Sequence, residues 1–436
     1  AMEVSVIGAG LAGSECAWQL AQRGIQVKLY EMKPEKRTPA HHTDAFAELC
    51  CSNSLRGAGL ENAVGLLKEE LRQLGSLILS CADATRVEAG GALAVDRHGF
   101  ANLVTERIRS HPNITVVPGE VTAIPEGEVV VASGPLTSDA LAETLETILG
   151  EGCGLHFYDA AAPLVSAASV DMESAWFGSR YDKGTADYVN CPMTEEEYTA
   201  FWEALTTAQE AEVHGFEDSQ VFEGCMPVEV MARRGRDTLR YGPLKPRGLK
   251  DPRTGKEPYA VVQLRRDNAQ GSIYNLVGFQ THLRFPEQKR VFSMIPALHD
   301  AEYLRYGVMH RNTFLDSPRY LNRYYQLKSE PRIVFAGQMT GVEGYVESAA
   351  SGFLAGIELA RRLRGMAPVD FPQETAIGAL GLYVSNKSIG NFQPMNVNFG
   401  IIPPLDHRVK GKRNKNAELS ARSLAIIEAR KEDILQ

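Results

Sequence analysis

An α/β architecture carrying a smaller α+β insertion is predicted by three features of this 436-residue sequence. The first is a strand, glycine turn, helix and strand at the N-terminus. The second is another glycine-rich strand-to-helix turn near the opposite end. The third is a strand- and turn-rich stretch between them with its own charge pattern. A chain this long exceeds one simple core, so at least two domains are expected.

Val4-Ser-Val-Ile7 reads as a short apolar strand. It enters Gly8, Ala9, Gly10, Leu11, Ala12 and Gly13, and then a helix that stops at Gly24. Ile25 to Tyr30 is the next strand, closed by Glu31. Gly8 suits the tight turn, Gly10 the approach of a pyrophosphate, and Gly13 the close packing of helix on strand. The helix N-terminus offers free N–H groups and a positive dipole end to phosphates. Glu31 can accept the hydroxyls of an adenine ribose, which favours a ligand without a 2′-phosphate. The unit therefore predicts dinucleotide binding, with FAD and NAD both compatible.

Further on, Val64, Leu67, Leu71 and Leu74 recur at helical spacing between Glu61 and Leu74. Phe100 to Arg109 is expected to be a helix, and Ile114–Val117 and Val129–Ala132 strands of the first sheet. Thr194 to Glu197 is a capping box opening the helix that carries Tyr198, Phe201, Trp202 and Leu205. Cys191-Pro192, just before it, reads as a boundary. An inserted domain is accordingly expected over residues 186–295, and the dinucleotide domain over 1–185 and 296–436.

The second glycine turn follows a strand ending at Gly337. It comprises Gln338, Gly341, Val342, Glu343, Gly344 and Tyr345, and a helix from Val346 to Arg364 that Gly365 caps. Such a turn is foreign to simple NAD dehydrogenases. It resembles the C-terminal motif of glutathione-reductase-like FAD oxidoreductases, in which a helix N-terminus faces the N1–C2=O edge of the flavin. The fold expected is thus a Rossmann-like FAD-binding domain. No other GxGxxG is found, so a nicotinamide would reduce the flavin without a fingerprinted domain of its own.

Lys and Arg number 46 against 54 Asp and Glu, a net charge of -8. Yet Arg233 to Lys256 holds nine basic residues, among them Arg233, Arg234 and Arg236, opposed only by Asp237 and Asp251. Arg408 to Lys415 adds five more, including Lys410, Lys412 and Arg413, with no acid. Two basic segments on an acidic protein suggest a polyanionic partner. No apolar run approaches the ~20 residues of a membrane span, so no membrane partner is expected. The N-terminus opens without a basic leader, and seven cysteines lack framework spacing; both point to a reducing cytoplasm.

Cys51 lies in Ala47-Glu-Leu-Cys-Cys-Ser-Asn-Ser-Leu-Arg56, and Cys225 in Phe222-Glu-Gly-Cys-Met-Pro. The remaining cysteines lack such polar neighbours. No CxxC occurs, so neither a metal centre nor a thioredoxin-like pair is expected.

These segments, with Gly8–Gly13, the Gly337–Tyr345 stretch and Asn396-Val-Asn-Phe-Gly400, together resemble one family along essentially the whole chain. It is the bacterial folate- and FAD-dependent tRNA (uracil-5-)-methyltransferases, related to a larger flavoprotein acting on the tRNA wobble uridine. The resemblance implies that 5,10-methylenetetrahydrofolate supplies the carbon, FAD the electrons, and NADH or NADPH the reduction of the flavin. The product would be 5-methyluridine at position 54 of the tRNA T-loop. It further implies Cys51 and Cys225 as the catalytic pair. A thiolate adding at C6 activates uracil C5, and a base then removes the C5 proton. Cys51 is expected as the nucleophile and Cys225 as the base or a flavin-side partner, although the sequence accommodates either order. Ser52 and Asn53 would bond flavin or uracil. Glu343 and Tyr345 would line the folate pocket, and His282, Arg284 and Phe285 would reach folate or tRNA. The competing readings are a flavoprotein acting on another tRNA uridine, a generic FAD oxidoreductase on a small molecule, and a dinucleotide-binding scaffold without activity.

Overall fold

The computed structural model describes residues 2–38, 41–134, 137–150, 153–212, 226–390 and 392–436. Cys225 lies outside them.

Five parallel strands form the first sheet, in the order Ile333–Phe335, Glu128–Val131, Glu3–Ile7, Gln26–Glu31 and Ile114–Pro118. The chain crosses to this sheet from both ends, so the first and second glycine turns leave it on the same side. Val4 and Val6 pack on one face, and Ile7, Val129 and Val131 on the other. Burial of both faces explains why these strands read as continuous apolar runs.

Helix Leu11–Gln22 and helix Tyr345–Leu363 follow the two turns and pack against each other. A Cβ on Gly352 would lie 2.2 Å from the Ala12 carbonyl oxygen, and one on Gly356 3.0 Å from that of Cys16. Small residues on both helices therefore let the backbones touch. Gly365 ends this helix with φ +70, and the Met366 N–H returns to the Arg361 carbonyl.

The second sheet is antiparallel and six-stranded. Its order is Trp176–Gly178, Tyr188–Met193, Ala260–Arg266, Ile273–Leu276, Leu164–Ser166 and Tyr303–Arg305. One face holds a core that includes Tyr198, Phe201, Phe279 and Phe292. Three of its strands lie outside the expected 186–295 span: Leu164–Ser166 and Trp176–Gly178 before it and Tyr303–Arg305 after it. The two connecting segments, Gly154–Ala160 and Met309–Leu315, pair with each other antiparallel.

Two local expectations are corrected. Cys191-Pro192 is not a boundary: both residues lie inside the strand Tyr188–Met193. The neighbouring strand Trp176–Gly178 reaches only as far as Asn190, so on that side Pro192 needs no N–H. The helix expected from Phe100 begins at Arg97, because the Asp96 carboxylate caps it by accepting the Gly99 N–H at 2.9 Å. The capping box at Thr194 is present as expected. Among the described residues, no helix is long and apolar enough to cross a membrane.

Candidate active site

The two glycine turns and the face of the second sheet opposite its core enclose a cavity of about 450 Å³. Residues 8–12 and Glu31 line one end. Gly8 sits at φ +101, and an added Cβ would fall 2.4 Å from the Ala132 carbonyl oxygen, so only glycine fits this turn. Gly13 is buried behind the turn, where a Cβ would lie 1.7 Å from the Gly8 oxygen. Around Gly10, in contrast, nothing lies within 4 Å of an added Cβ: the space there belongs to the cavity. One Glu31 oxygen accepts the Ala9 N–H at 3.1 Å and the other the Lys33 N–H at 3.1 Å, so the carboxylate also holds the turn in place.

Gly337, Gln338, Glu343, Gly344 and Tyr345 line the other side. Gly341 and Val342 do not. Gly341, at φ +93, packs on the Phe392 ring, and Val342 is fully buried and bridged to Met395. They shape the loop that presents its neighbours. Gln338 donates to Glu343 at 2.8 Å, and Asn396 donates to the Glu343 carbonyl at 2.9 Å, which brings the Asn396–Gly400 motif against the second turn.

Cys50, Cys51 and Ser52 form a third wall. Burial and the nearby Glu48 carboxylate push the Cys50 thiol up to about 12, so it stays protonated. The phenol oxygen of Tyr345 accepts the backbone N–H groups of Cys51 and Ser52. Three arginines grip the same loop. Arg97 donates to the Leu49 carbonyl and forms a bidentate pair with Asp267 at 2.8 and 2.9 Å. Arg265 donates to Ser52 Oγ at 2.7 Å, and Arg305 to the Cys51 carbonyl at 3.4 Å. Of the three, Arg265 alone lines the cavity, and its guanidinium suits negative charge developing there, whereas Asp267 neutralises Arg97.

Asn53 corrects an expectation. It is fully buried outside the cavity lining. Its Nδ2 donates to the Val95 and Arg266 carbonyls, and its Oδ1 accepts from Arg265. It ties the Cys51 loop to the strand Ala92–Val95 and to the second sheet at Arg266. His282 likewise lies outside the cavity lining. Only 2% exposed, it lies 2.9 Å from a carboxylate oxygen of Glu210 and 2.9 Å from one of Glu229. Burial opposes its charge, but the two carboxylates outweigh that and hold the imidazolium up to about 9. Phe285 is exposed and stacks on Tyr306 at 4.9 Å, while Arg284 donates to Gln209.

Of the basic residues, Arg233 pairs with Glu210, and Arg236 donates to Thr199 and the Tyr259 hydroxyl near Glu195. Arg234 is exposed. Lys410, Lys412 and Arg413 are exposed and make no ion pair among the described residues; they sit at the N-terminal end of helix Lys412–Ile434.

Residues that sequence reasoning passed over are Arg97, Arg265, Arg305, Asn275 and Asn312. Register explains two of them. Arg265 pairs with Asn275 and Asn275 with Leu164, one row across three strands, and Arg305 stands opposite Leu164 where the register shifts after Tyr303, its guanidinium reaching the Cys51 carbonyl. Directly opposed residues share a face. Val262, Leu264 and Tyr274 point into the insertion core, so this row faces the cavity side. His41, Glu48 and Cys50 also meet in the cavity wall, their ligand atoms within 4.8 Å of one another. Glu48 there already accepts the N–H groups of His42 and Thr43.

A family model described as Glucose inhibited division protein A matches residues 3–367. A protein of Acetivibrio thermocellus named methylenetetrahydrofolate--tRNA-(uracil-5-)-methyltransferase TrmFO is 61% identical over 425 residues, 97% of this chain and 97% of that protein. One of the same name from Anoxybacillus flavithermus is 60% identical over 427 residues, 98% of this chain and 99% of its own length. The crystal structure of Aquifex aeolicus GidA matches with a TM-score of 0.71 at 15% identity, over 100% of this chain and 74% of that one, and shares its fold. Dinucleotide-type turn, interrupted parallel sheet and full-length likeness agree: the chain belongs to the GidA-type family and, within it, to the methylenetetrahydrofolate--tRNA-(uracil-5-)-methyltransferases called TrmFO.

Proposed function

We propose that this protein methylates C5 of the T-loop uridine at position 54 of tRNA, drawing the carbon from 5,10-methylenetetrahydrofolate. The observation that carries the reading is the placement of Cys51 in the wall of the cavity that both glycine turns line. FAD fits that cavity: the open space at Gly10 suits a pyrophosphate at a helix N-terminus, and Glu31 stands where a ribose hydroxyl would be accepted. Ala9, Leu11 and Ala12 line its first turn, and Gly337, Gln338, Glu343, Gly344 and Tyr345 its flavin end. When bound, reduced FAD supplies the electrons of the transfer, and NADH or NADPH renews them.

The chain's own residues then have separable tasks. Cys51 is the thiol that adds to uracil C6. Tyr345 and Arg305 hold its backbone in place. Cys225 is the base for the C5 proton or a partner beside the flavin, and Gly341, Gly13 and Asn53 fix the loops. The exposed cations Arg234, Lys410, Lys412 and Arg413 contact tRNA phosphates without reading bases, and Arg233 and Arg236 brace the same surface. A uridine in a loop can leave its stack at a cost of a few kcal/mol.

One incubation tests the reading: methylene folate labelled in its one-carbon unit, NADH and unmodified tRNA. Label at C5 of uridine 54 is expected. A carbon arriving from S-adenosylmethionine overturns it. The match to the GidA family model favours one second reading, a flavoprotein acting on a different tRNA uridine. Label at a wobble uridine would select that instead.

A further inference from the structure

Two carboxamides in the cavity wall show no partner for their N–H groups among the described residues. Asn275 is 2% exposed and Asn312 1%, and Nδ2 of each lacks a hydrogen-bond partner among the described residues. Both side chains line the cavity. Buried amides are nearly always hydrogen-bonded, so two that face one cavity unbonded are placed for a ligand. The strand register says which one. Asn275 stands in the row Arg265–Asn275–Leu164. Its cross-strand neighbour Arg265 holds Ser52 Oγ, and Arg305, two strands further on, the Cys51 carbonyl. Asn275 therefore lies with Arg265 on the sheet face that meets the Cys51 loop, and it lines the same cavity as Cys51.

We propose that Asn275, in a cavity wall that Asn312 also lines, reads the amide edge of the target uracil, donating from Nδ2 to O4 and accepting N3–H at Oδ1. The proposal rests on Cys51 being the nucleophile. In the addition, a sulfur lone pair forms the S–C6 bond. The C5=C6 pair moves to C4–C5, and the C4=O4 pair becomes a lone pair on O4. Charge thus grows on O4, where the Asn275 N–H group meets it, and a donor pre-set for charge that develops in the transition state accelerates the step. The same carboxamide disfavours cytosine, whose N4 amine and unprotonated N3 present the reverse pattern of donor and acceptor.

The test uses the full-length flavoprotein with Asn275→Ala, Asn275→Asp, Asn312→Ala and Cys51→Ala, and tRNA bearing uridine, cytidine or 5-fluorouridine at position 54. Flavin content is read by absorbance, and the covalent complex with fluorouridine tRNA by gel mobility. Asn275→Ala is expected to keep its flavin and its KM for folate, and to form the covalent complex about a hundredfold more slowly. Asn312→Ala is expected to slow it less. Asn275→Asp cannot donate to O4 but accepts from a cytosine amine, so its preference for uridine over cytidine is expected to fall about tenfold or more. That ratio decides the matter even where the alanine variant folds poorly. An undiminished rate of complex formation with Asn275→Ala, a preference for uridine in Asn275→Asp equal to the parent's, or a change confined to the folate KM each overturns the proposal. A covalent complex that survives in Cys51→Ala refutes the nucleophile assignment instead, and leaves the selectivity result to be read on its own.

Discussion

The phenol oxygen of Tyr345 lies 2.8 Å from the backbone nitrogen of Cys51 and 2.9 Å from that of Ser52, accepting a hydrogen bond from each. Tyr345 opens the helix of the second glycine turn, and Cys51 belongs to a loop almost three hundred positions earlier. Burial raises the phenol well above its ordinary range, so the group acts as a neutral acceptor. This contact joins the flavin end of the cavity to the thiol.

Tyr345→Phe removes that acceptor and nothing else of size. Two backbone N–H groups lose their partner, at about 1–3 kcal/mol each where water cannot replace it. Flavin content is expected to stay unchanged, while turnover falls roughly tenfold or more through misplacement of the thiol. Absorbance and steady-state rates on one preparation check both halves. Unaltered turnover would mean that the arginines alone position the loop.

Cys51→Ala is expected to abolish methylation with FAD still bound, because the glycine turns that line the cavity do not involve the sulfur. Residual turnover above the detection limit of a labelled-carbon assay would sink the nucleophile role.

How far the sequence alone reaches depends on whether a feature is local. The first glycine turn, its helix and Glu31 are legible because each glycine answers to a contact within one β-α-β unit. The second turn is legible for the same reason. Asn53 misleads: its polar neighbours suggest a ligand, yet its three hydrogen bonds run to Val95, Arg265 and Arg266, which only the fold brings near. The row from Arg265 to Leu164 is invisible in the sequence, since it needs the register of three strands drawn from distant segments. Pro192 shows the converse error, a residue that usually breaks strands tolerated where the adjacent strand has already ended.

The two basic segments are expected to behave differently. Arg233 and Arg236 engage carboxylates and hydroxyls of the insertion, so their reversal disturbs that domain as well as any contact to tRNA. Lys410, Lys412 and Arg413 stand at a helix N-terminus with no acid in its first turn, an arrangement the helix dipole disfavours. Reversing these three to Glu is expected to weaken tRNA binding and flatten its dependence on salt by about one phosphate contact each, without changing flavin reduction, and to raise thermal stability slightly because Glu suits a helix N-terminus. A filter-binding series against salt measures it. An unchanged slope would remove the segment from the tRNA interface.

His282 predicts a pH dependence. Its folded-state value, about 9, exceeds the ordinary one near 6.5. The groups facing it are Glu210, which Arg233 also pairs, and Glu229, which Thr281 also bonds. Stability from the clamp is therefore complete below about pH 6.5 and is lost as pH rises through about 9. His282→Gln leaves buried Glu229 without its cation, at about 3–5 kcal/mol, and is expected to abolish this alkaline decline along with part of the stability. Calorimetry at stepped pH distinguishes the two proteins. A wild-type midpoint that stays level across that range would show that His282 is neutral in the fold.

The glycines of the first turn separate folding from cofactor binding. A methyl group at Gly13 would lie 1.7 Å from the Gly8 carbonyl oxygen, a backbone atom that cannot yield without moving the helix. Gly13→Ala is therefore expected to destabilise the first domain whether or not FAD is present. At Gly10 the same methyl meets nothing within 4 Å, and φ is -74, which any residue adopts. Gly10→Ala is expected to fold with unaltered thermal stability as apoprotein. The methyl would nonetheless stand in the space where a pyrophosphate approaches the helix N-terminus, so FAD affinity is expected to fall by at least about tenfold. Titration of apoprotein with FAD, followed by flavin fluorescence, gives the comparison directly. A Gly10→Ala protein that binds FAD as tightly as the parent would place the pyrophosphate elsewhere in the cavity, and the assignment of the first turn with it.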